Sequence, residues 1–164
     1  MQSLSDQIRL INALGSRSSQ TGAGANNSTT NILPQYPTAN KYIVTLSEDG
    51  FDYTVSGYDG NYPDMYLVSG MAYAFEINSP GNAFTICDYI TAEPLVAAGT
   101  KHVFVHISTT GVITTDETAN GGHESGTLIW TVPPDFDRAV YRSLGLGGNG
   151  RILLVKISTL ASLP

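Results

Sequence analysis

The stretch that decides the fold is Met71-Ala72-Tyr73-Ala74-Phe75-Glu76-Ile77-Asn78, in which a large apolar side chain occupies every second position. This period of two predicts a β-strand with one face in a core and the other face small or polar. Shorter runs from Lys41 onward repeat the pattern: Tyr42/Val44/Leu46, Phe51/Tyr53/Val55, Val103/Val105/Ile107 and Leu128/Trp130/Val132. Arg151 to Ile157 is a continuous apolar strand with charged ends.

Turn-forming residues separate these runs, as at Glu48-Asp49-Gly50, Ser79-Pro80-Gly81-Asn82 and Asn120-Gly121-Gly122. Many short strands with such punctuation predict an all-β sandwich or barrel. We find no internal repeat and no second helical period. The segment from 41 to 164 is therefore expected to form one β domain.

The N-terminal segment has a different period. Apolar residues at Leu4, Ile8 and Ile11, followed by Gly15, predict a short amphipathic helix within residues 1–15. So short a helix is marginal alone in water, so we expect an anchoring interface, on this domain or on a neighbour, formed by Leu4, Ile8, Ile11 and Leu14. Residues 16–40 are small and polar without a period, which predicts a flexible linker or arm.

Composition excludes several classes of function. The 164 residues carry 14 acids and 8 bases, a net charge of −6, which disfavours binding to nucleic acid or to anionic membrane surfaces. No apolar run approaches the roughly 20 residues of a membrane span, and the opening residues do not read as a signal peptide. The single cysteine, Cys87, cannot close an intrachain disulfide. We expect a soluble protein made in the cytoplasm.

The histidines do not predict a metal site. His102 and His106 are four residues apart in a strand-like run, which places them about 13 Å apart, too far for one ion. Because they share a face with Phe104, partial burial is the expected alternative to solvent exposure. His123 lies in a glycine-rich loop.

Two further patterns have structural interpretations. The string from Gly145 to Gly150 matches GxGxxG, but a strand follows it instead of a helix, so we predict a hairpin loop whose glycines need positive φ. The acids lie singly or as neighbours in turns, which indicates turn and solubility roles. A glycosidase pair brought together from two strand ends stays open.

Several short patterns then occur in a familiar order: Leu67 to Phe75, Gly81 to Ile86, Ser125 to Asp135, Val140 to Ser143 and Gly150 to Val155. Together they resemble the cupredoxin-like β-sandwich modules in structural proteins of tailed phages, especially phages of marine cyanobacteria. The resemblance covers residues 41–157. It implies a single Greek-key sandwich preceded by the N-terminal helix and arm.

In copper-binding cupredoxins a histidine, a cysteine, a second histidine and a methionine hold the metal. The resemblance places these positions on Asn82, Ser143, Leu146 and Asn149. Every ligand is replaced, so the resemblance implies a scaffold without copper, without another cofactor and without an electron-transfer role.

The function implied is that of a non-enzymatic virion protein, in capsid decoration or in a tail, collar or baseplate. It would be made in the host cytoplasm, dock on other virion proteins through the N-terminal helix and arm, and occur in repeated copies or as a homo-oligomer. The alternative is a module that binds carbohydrate or a host surface through aromatic side chains. The candidate aromatics lie around a predicted turn: Tyr58, Tyr62 and Tyr66.

Overall fold

The computed structural model describes residues 40–96, 102–145 and 147–156, and these residues contain ten strands and no α-helix. The strands are β1 Lys41–Leu46, β2 Tyr53–Val55, β3 Met65–Val68, β4 Ala72–Asn78, β5 Phe84–Asp88, β6 Val103–Ile107, β7 Ile113–Thr114, β8 Ser125–Thr131, β9 Arg138–Ser143 and β10 Asn149–Val155. The predicted helix and most of the predicted arm lie outside the described residues.

The strands form two mixed sheets. The six-stranded sheet has the order β2-β1-β4-β8-β6-β7, and the four-stranded sheet has the order β3-β10-β9-β5. Each sheet contains one parallel pair, β1 with β4 and β3 with β10, while the other pairs are antiparallel. The predicted all-β class is confirmed.

One apolar core lies between the sheets. It takes alternate residues from both, and its largest fully buried side chains include Trp130, Tyr53, Tyr141, Phe75 and Phe84. Burying a side chain of this size stabilises the fold by about 1.5–3 kcal/mol. The stretch from Met71 to Asn78 behaves as its period predicts, with Tyr73, Phe75 and Ile77 in this core.

Side chains close both edges of the four-stranded sheet. Beside β3, the Tyr58 hydroxyl accepts a hydrogen bond from Tyr66 N (3.1 Å) and the Tyr73 hydroxyl accepts one from Val68 N (2.7 Å). Beside β5, the side chain of Asn120 bonds both backbone polar groups of Ile86. An edge strand whose backbone groups already have hydrogen-bond partners offers fewer free groups for pairing with another chain.

The structure corrects three expectations. In β6 it is Phe104 that lies in the core between the sheets, while Val103 of the predicted apolar run Val103/Val105/Ile107 is 53% exposed. Phe51 does not continue the alternation of Tyr53 and Val55, because it lies in the β1–β2 turn and is 62% exposed. The hairpin predicted around the glycine string is confirmed between β9 and β10.

The glycines of this hairpin were expected to adopt positive φ. None of Gly145, Gly147, Gly148 and Gly150 does so. Gly148 and Gly150 are needed for close packing instead: an added Cβ would overlap the rings of Tyr62 and Tyr141, respectively.

Candidate functional site

Two of the four positions that the resemblance assigns to copper ligands, Asn82 and Ser143, lie beside Tyr53, a buried residue of β2. The Tyr53 hydroxyl donates a hydrogen bond to the backbone oxygen of Asn82 (3.0 Å). The turn of Asn82 is closed by Ser79, whose hydroxyl donates to the same oxygen (2.8 Å). Ser143, at the end of β9 in the other sheet, is fully buried, and its hydroxyl lies close enough to that of Tyr53 to lower the Tyr53 pKa. The structure thus brings Asn82 and Ser143 together through a phenol.

Local sequence explains why these groups meet. Gly81 adopts φ +82°, which lets the Ser79–Asn82 turn close, and the backbone N of Asn82 donates to Ser79 O (2.9 Å). Phe84, two residues after Asn82, is directly opposite Ser143 in the β5–β9 register. Leu146 lies outside the described residues, and Asn149 is exposed at the start of β10.

The electrostatics of this cluster favour neutral groups. Burial raises the pKa of Tyr53 to about 12, although the hydroxyls of Ser143 and Ser79 act in the opposite direction. Asn82 donates through Nδ2 to Gly50 O (3.2 Å), while its buried Oδ1 has no hydrogen-bond partner within the described part of the chain. The cluster therefore combines a protonated phenol, two serine hydroxyls and one amide.

This donor set does not fit type 1 copper, which requires a thiolate and imidazoles. Cys87, the one thiol, lies on β5 opposite Val140, and burial raises its pKa to about 11. Across residues 40–96, 102–145 and 147–156, no three His, Cys, Asp or Glu side chains converge as a metal site would need. The same residues include no helix of the length and hydropathy needed to cross a bilayer.

The histidines have structural partners. His102 Nδ1 accepts a hydrogen bond from Trp130 Nε1 (3.2 Å), and His106 Nε2 bonds Ser125 O (2.9 Å). The rings of His106 and His123 stack with centroids 3.4 Å apart. Burial lowers the pKa of both His102 and His106. The expected partial burial of His102 and His106 is confirmed and exceeded, since both are at least nine-tenths buried.

Three acidic side chains have a lowered pKa because of turn hydrogen bonds or an ion pair. Hydrogen bonds from the Ser47 hydroxyl and Phe51 N lower the pKa of Asp49, and bonds within its own turn do the same for Asp116. Arg151 lowers the pKa of Asp64. A general acid needs the opposite shift, so these three carboxyl groups are not suited to that role.

The three candidate aromatics differ in accessibility. Tyr58 and Tyr62 are half-buried against the core, and their hydroxyls bond the backbone of Tyr66 and Phe51, respectively. Tyr66 points outward from β3 and is 62% exposed. The structure therefore leaves Tyr66 as the accessible ring of the three.

Sequence reasoning missed two features. Asn120 reads as a turn residue before two glycines, yet it is buried and binds an edge strand. The His106–His123 stack joins residues of β6 and the loop before β8, and no period in the sequence indicates it. Both depend on how loops fold back onto the sheets.

Comparison with known proteins leaves the chain unassigned, as no family model and no curated protein matches it.

Proposed function

We propose that the chain is a non-enzymatic structural protein of a phage virion, built as a copper-free cupredoxin-like Greek-key sandwich that docks through its N-terminal segment. The observation that carries the proposal is the cluster around Tyr53. At two of the positions where the resemblance places metal ligands, Asn82 and Ser143 are buried beside the Tyr53 hydroxyl and offer no soft donor. Such a scaffold contributes surfaces for assembly rather than a redox centre.

The topology supports the Greek-key part of the proposal. Successive strands change sheets between β2 and β3, β3 and β4, β4 and β5, β5 and β6, and β8 and β9. Connections that pass from one sheet to the other in this way are typical of Greek-key sandwiches. The parallel pairs β1–β4 and β3–β10 arise from the same crossovers.

The outer face of the six-stranded sheet supports a role among neighbouring subunits. The register places Ile43, Thr127 and Ile107 on one row across it, with Glu76 between them. Glu76 forms an ion pair with Lys41, so this row carries no unpaired charge. Because its charges are paired, the exposed part of this row can pack against a partner without burying an uncompensated ion, whereas Ile107 is already buried within the chain.

The N-terminal docking is tested in full-length protein supplied during infection. We expect the wild-type chain to co-sediment with purified particles, and the variant Leu4→Asp/Ile8→Asp/Ile11→Asp to fall by about tenfold or more in the particle fraction. A control with Val112→Asp, at an exposed turn of the β domain, should co-sediment like wild type. Absence of the wild-type chain from particles contradicts the virion role, and unchanged incorporation of the triple variant contradicts N-terminal docking.

Copper provides a separate test. Titration of the full-length protein with Cu(II) should give no thiolate-to-copper charge-transfer band, because the donor set lacks an accessible thiolate. Appearance of such a band contradicts the copper-free part of the proposal.

Carbohydrate binding stays the second candidate, and one observation favours it. Tyr66 presents an exposed ring on which a sugar can stack. Glycan-array binding that is lost with Tyr66→Ala, and retained with Tyr89→Ala, would favour this function over the structural one.

A further inference from the structure

The outer face of the four-stranded sheet concentrates positive charge in an acidic chain. Arg138 and Arg142 lie four residues apart on one face of β9, and Arg151 on β10 is opposite Val140, which lies between them. Like charges on neighbouring positions of one sheet face are destabilising. Only Arg151 has a carboxylate partner within the described residues, Asp64. This face therefore carries two guanidinium groups, those of Arg138 and Arg142, without a carboxylate partner among the described residues.

The other two arginines are held by neutral groups. The Arg138 guanidinium lies over the ring of Tyr89, 4.5 Å from its centroid, and Arg142 Nε donates to Ser143 O (3.3 Å). Neither contact neutralises a charge. Both guanidinium groups thus retain the capacity to bind a carboxylate, for which their planar fork is suited.

An apolar row crosses the same face. Tyr66 on β3 is in register with Leu153 on β10, which is in register with Arg138 on β9. Tyr66 is 62% exposed and Leu153 is half-buried. We name this surface the basic face: Tyr66, Arg138, Arg142, Arg151 and Leu153.

The β1–β2 turn combines an exposed apolar side chain with negatively charged residues. Phe51 projects from it with 62% exposure, and the neighbouring acids are Glu48, Asp49 and Asp52. We name Glu48, Asp49, Phe51 and Asp52 the acidic turn. Phe51 is thus an exposed aromatic residue in a turn that is rich in acids.

The acidic turn is preorganised. Ser47 N donates to Asp52 O (2.8 Å), Gly50 N donates to Ser47 O (2.9 Å), and Phe51 N donates to Asp49 Oδ1 (3.2 Å). Gly50 adopts φ +78°, as this tight turn requires. A surface that is already ordered loses little conformational entropy on binding.

We propose that the acidic turn of one copy docks on the basic face of a second copy, with Phe51 against Tyr66 and Leu153 and the carboxylates against Arg138 and Arg142. Both halves of this complementarity, apolar and electrostatic, are present on the chain itself, which favours a second copy over an unrelated anion. The contact joins two different surfaces, so it is heterologous and generates a ring or an open filament. This inference rests on the proposed function, in which the protein occurs in repeated copies, and adds a contact between those copies. The contact does not involve the N-terminal segment.

The first test is sedimentation velocity of the full-length protein over a concentration series. We expect association at about 0.1 M salt that weakens at about 1 M, where the Debye length falls from about 10 Å to about 3 Å. Phe51→Ala should raise the dissociation constant by about tenfold or more, as expected for an aromatic anchor. Val112→Ala is the matched control, because Val112 is also 62% exposed but lies in the β6–β7 turn.

The second test exchanges charges. Arg138→Glu/Arg142→Glu and Glu48→Lys/Asp52→Lys should each abolish self-association, and an equimolar mixture of the two variants should restore it, because opposite charges meet again. Glu117→Lys, an exposed acid in another loop, should associate like wild type. Thermal unfolding of each variant verifies that it is folded.

Three results would overturn the proposal: a wild-type protein that stays monomeric at low salt, association that Phe51→Ala leaves unchanged, or a mixture that stays monomeric while each variant is folded. Association that survives all these substitutions but is lost with Leu4→Asp/Ile8→Asp would also overturn it. That last result would leave N-terminal docking, and with it the proposed function, standing.

Discussion

The side-chain amide of Asn120 pairs with Ile86 as a neighbouring β-strand would. Its Oδ1 accepts a hydrogen bond from Ile86 N (3.0 Å) and its Nδ2 donates to Ile86 O (2.7 Å). Nδ2 also donates to Leu95 O (2.8 Å), and Asn120 O accepts from the Thr85 hydroxyl (2.7 Å). One loop residue thus completes the free edge of β5 and fixes two loops against it.

Replacing Asn120 with alanine should therefore destabilise the fold strongly. The change removes the partner of Ile86 N and of Leu95 O, at about 1–3 kcal/mol for each unsatisfied group, while Ile86 O keeps its hydrogen bond from Leu95 N (2.9 Å). We expect the free energy of unfolding to fall by about 3 kcal/mol or more, measured by urea denaturation. Asn61→Ala is the control, since Asn61 is exposed and its side chain donates to Asp52 Oδ2 (2.9 Å); a similar loss there would contradict the special role of Asn120.

The other edge of the same sheet is tested with Tyr73→Phe. This change removes the hydroxyl that accepts from Val68 N (2.7 Å) and leaves a buried donor unsatisfied. We expect a loss of about 1–3 kcal/mol in the free energy of unfolding. Tyr66→Phe, on an exposed ring, should change stability by less than about 0.5 kcal/mol. Equal effects of the two changes would show that the edge bond does not stabilise β3.

Gly150→Ala tests the close packing of the β9–β10 hairpin. Gly150 is in register with Tyr141, whose ring lies where a Cβ would project and whose hydroxyl donates to Pro63 O (2.7 Å). Forcing the ring aside should cost about 1–3 kcal/mol, read from the thermal midpoint or from urea denaturation. Gly147→Ala, with open space at its Cβ, is the matched control and should be close to neutral.

The buried histidines predict how stability depends on pH. Burial lowers the pKa of His102 and His106 below the 6.5 of the unfolded chain. The folded state then binds fewer protons than the unfolded state, so this contribution is complete above about pH 6.5 and is lost as the pH falls through the folded pKa values. Urea denaturation between about pH 8 and pH 5 should show the free energy of unfolding falling with pH.

The double variant His102→Gln/His106→Gln should flatten that dependence, because glutamine offers hydrogen-bonding groups without titrating there. The lowered pKa values of Asp49, Asp64 and Asp116 act only below their ordinary value of 3.8, outside this range. Stability that rises on acidification to pH 5, or an unchanged slope in the double variant, would contradict this assignment.

Much of the fold could be predicted because burial of alternate side chains is a local property of a strand. The run from Met71 to Asn78 specifies a strand and its inner face before any partner is known. Phe51 shows the limit: its spacing from Tyr53 continues the alternation, yet the turn bonds of Ser47 and Asp49 remove it from the strand. Local hydrogen bonds in the turn outweighed the hydrophobic pattern.

The sequence by itself determined an all-β domain beginning near Lys41 and the hairpin at the glycine string. It also favoured partial burial of His102 and His106, but it did not show that Phe104, and not Val103, enters the core. The tertiary structure alone decided which groups meet: Asn120 with Ile86, His106 with His123, and Tyr53 with Asn82 and Ser143. The alternation of apolar and polar side chains indicates which face of its own strand each residue occupies. The pairing of distant residues depends on strand order, register and loop closure, which are fixed only when both sheets pack around a common core.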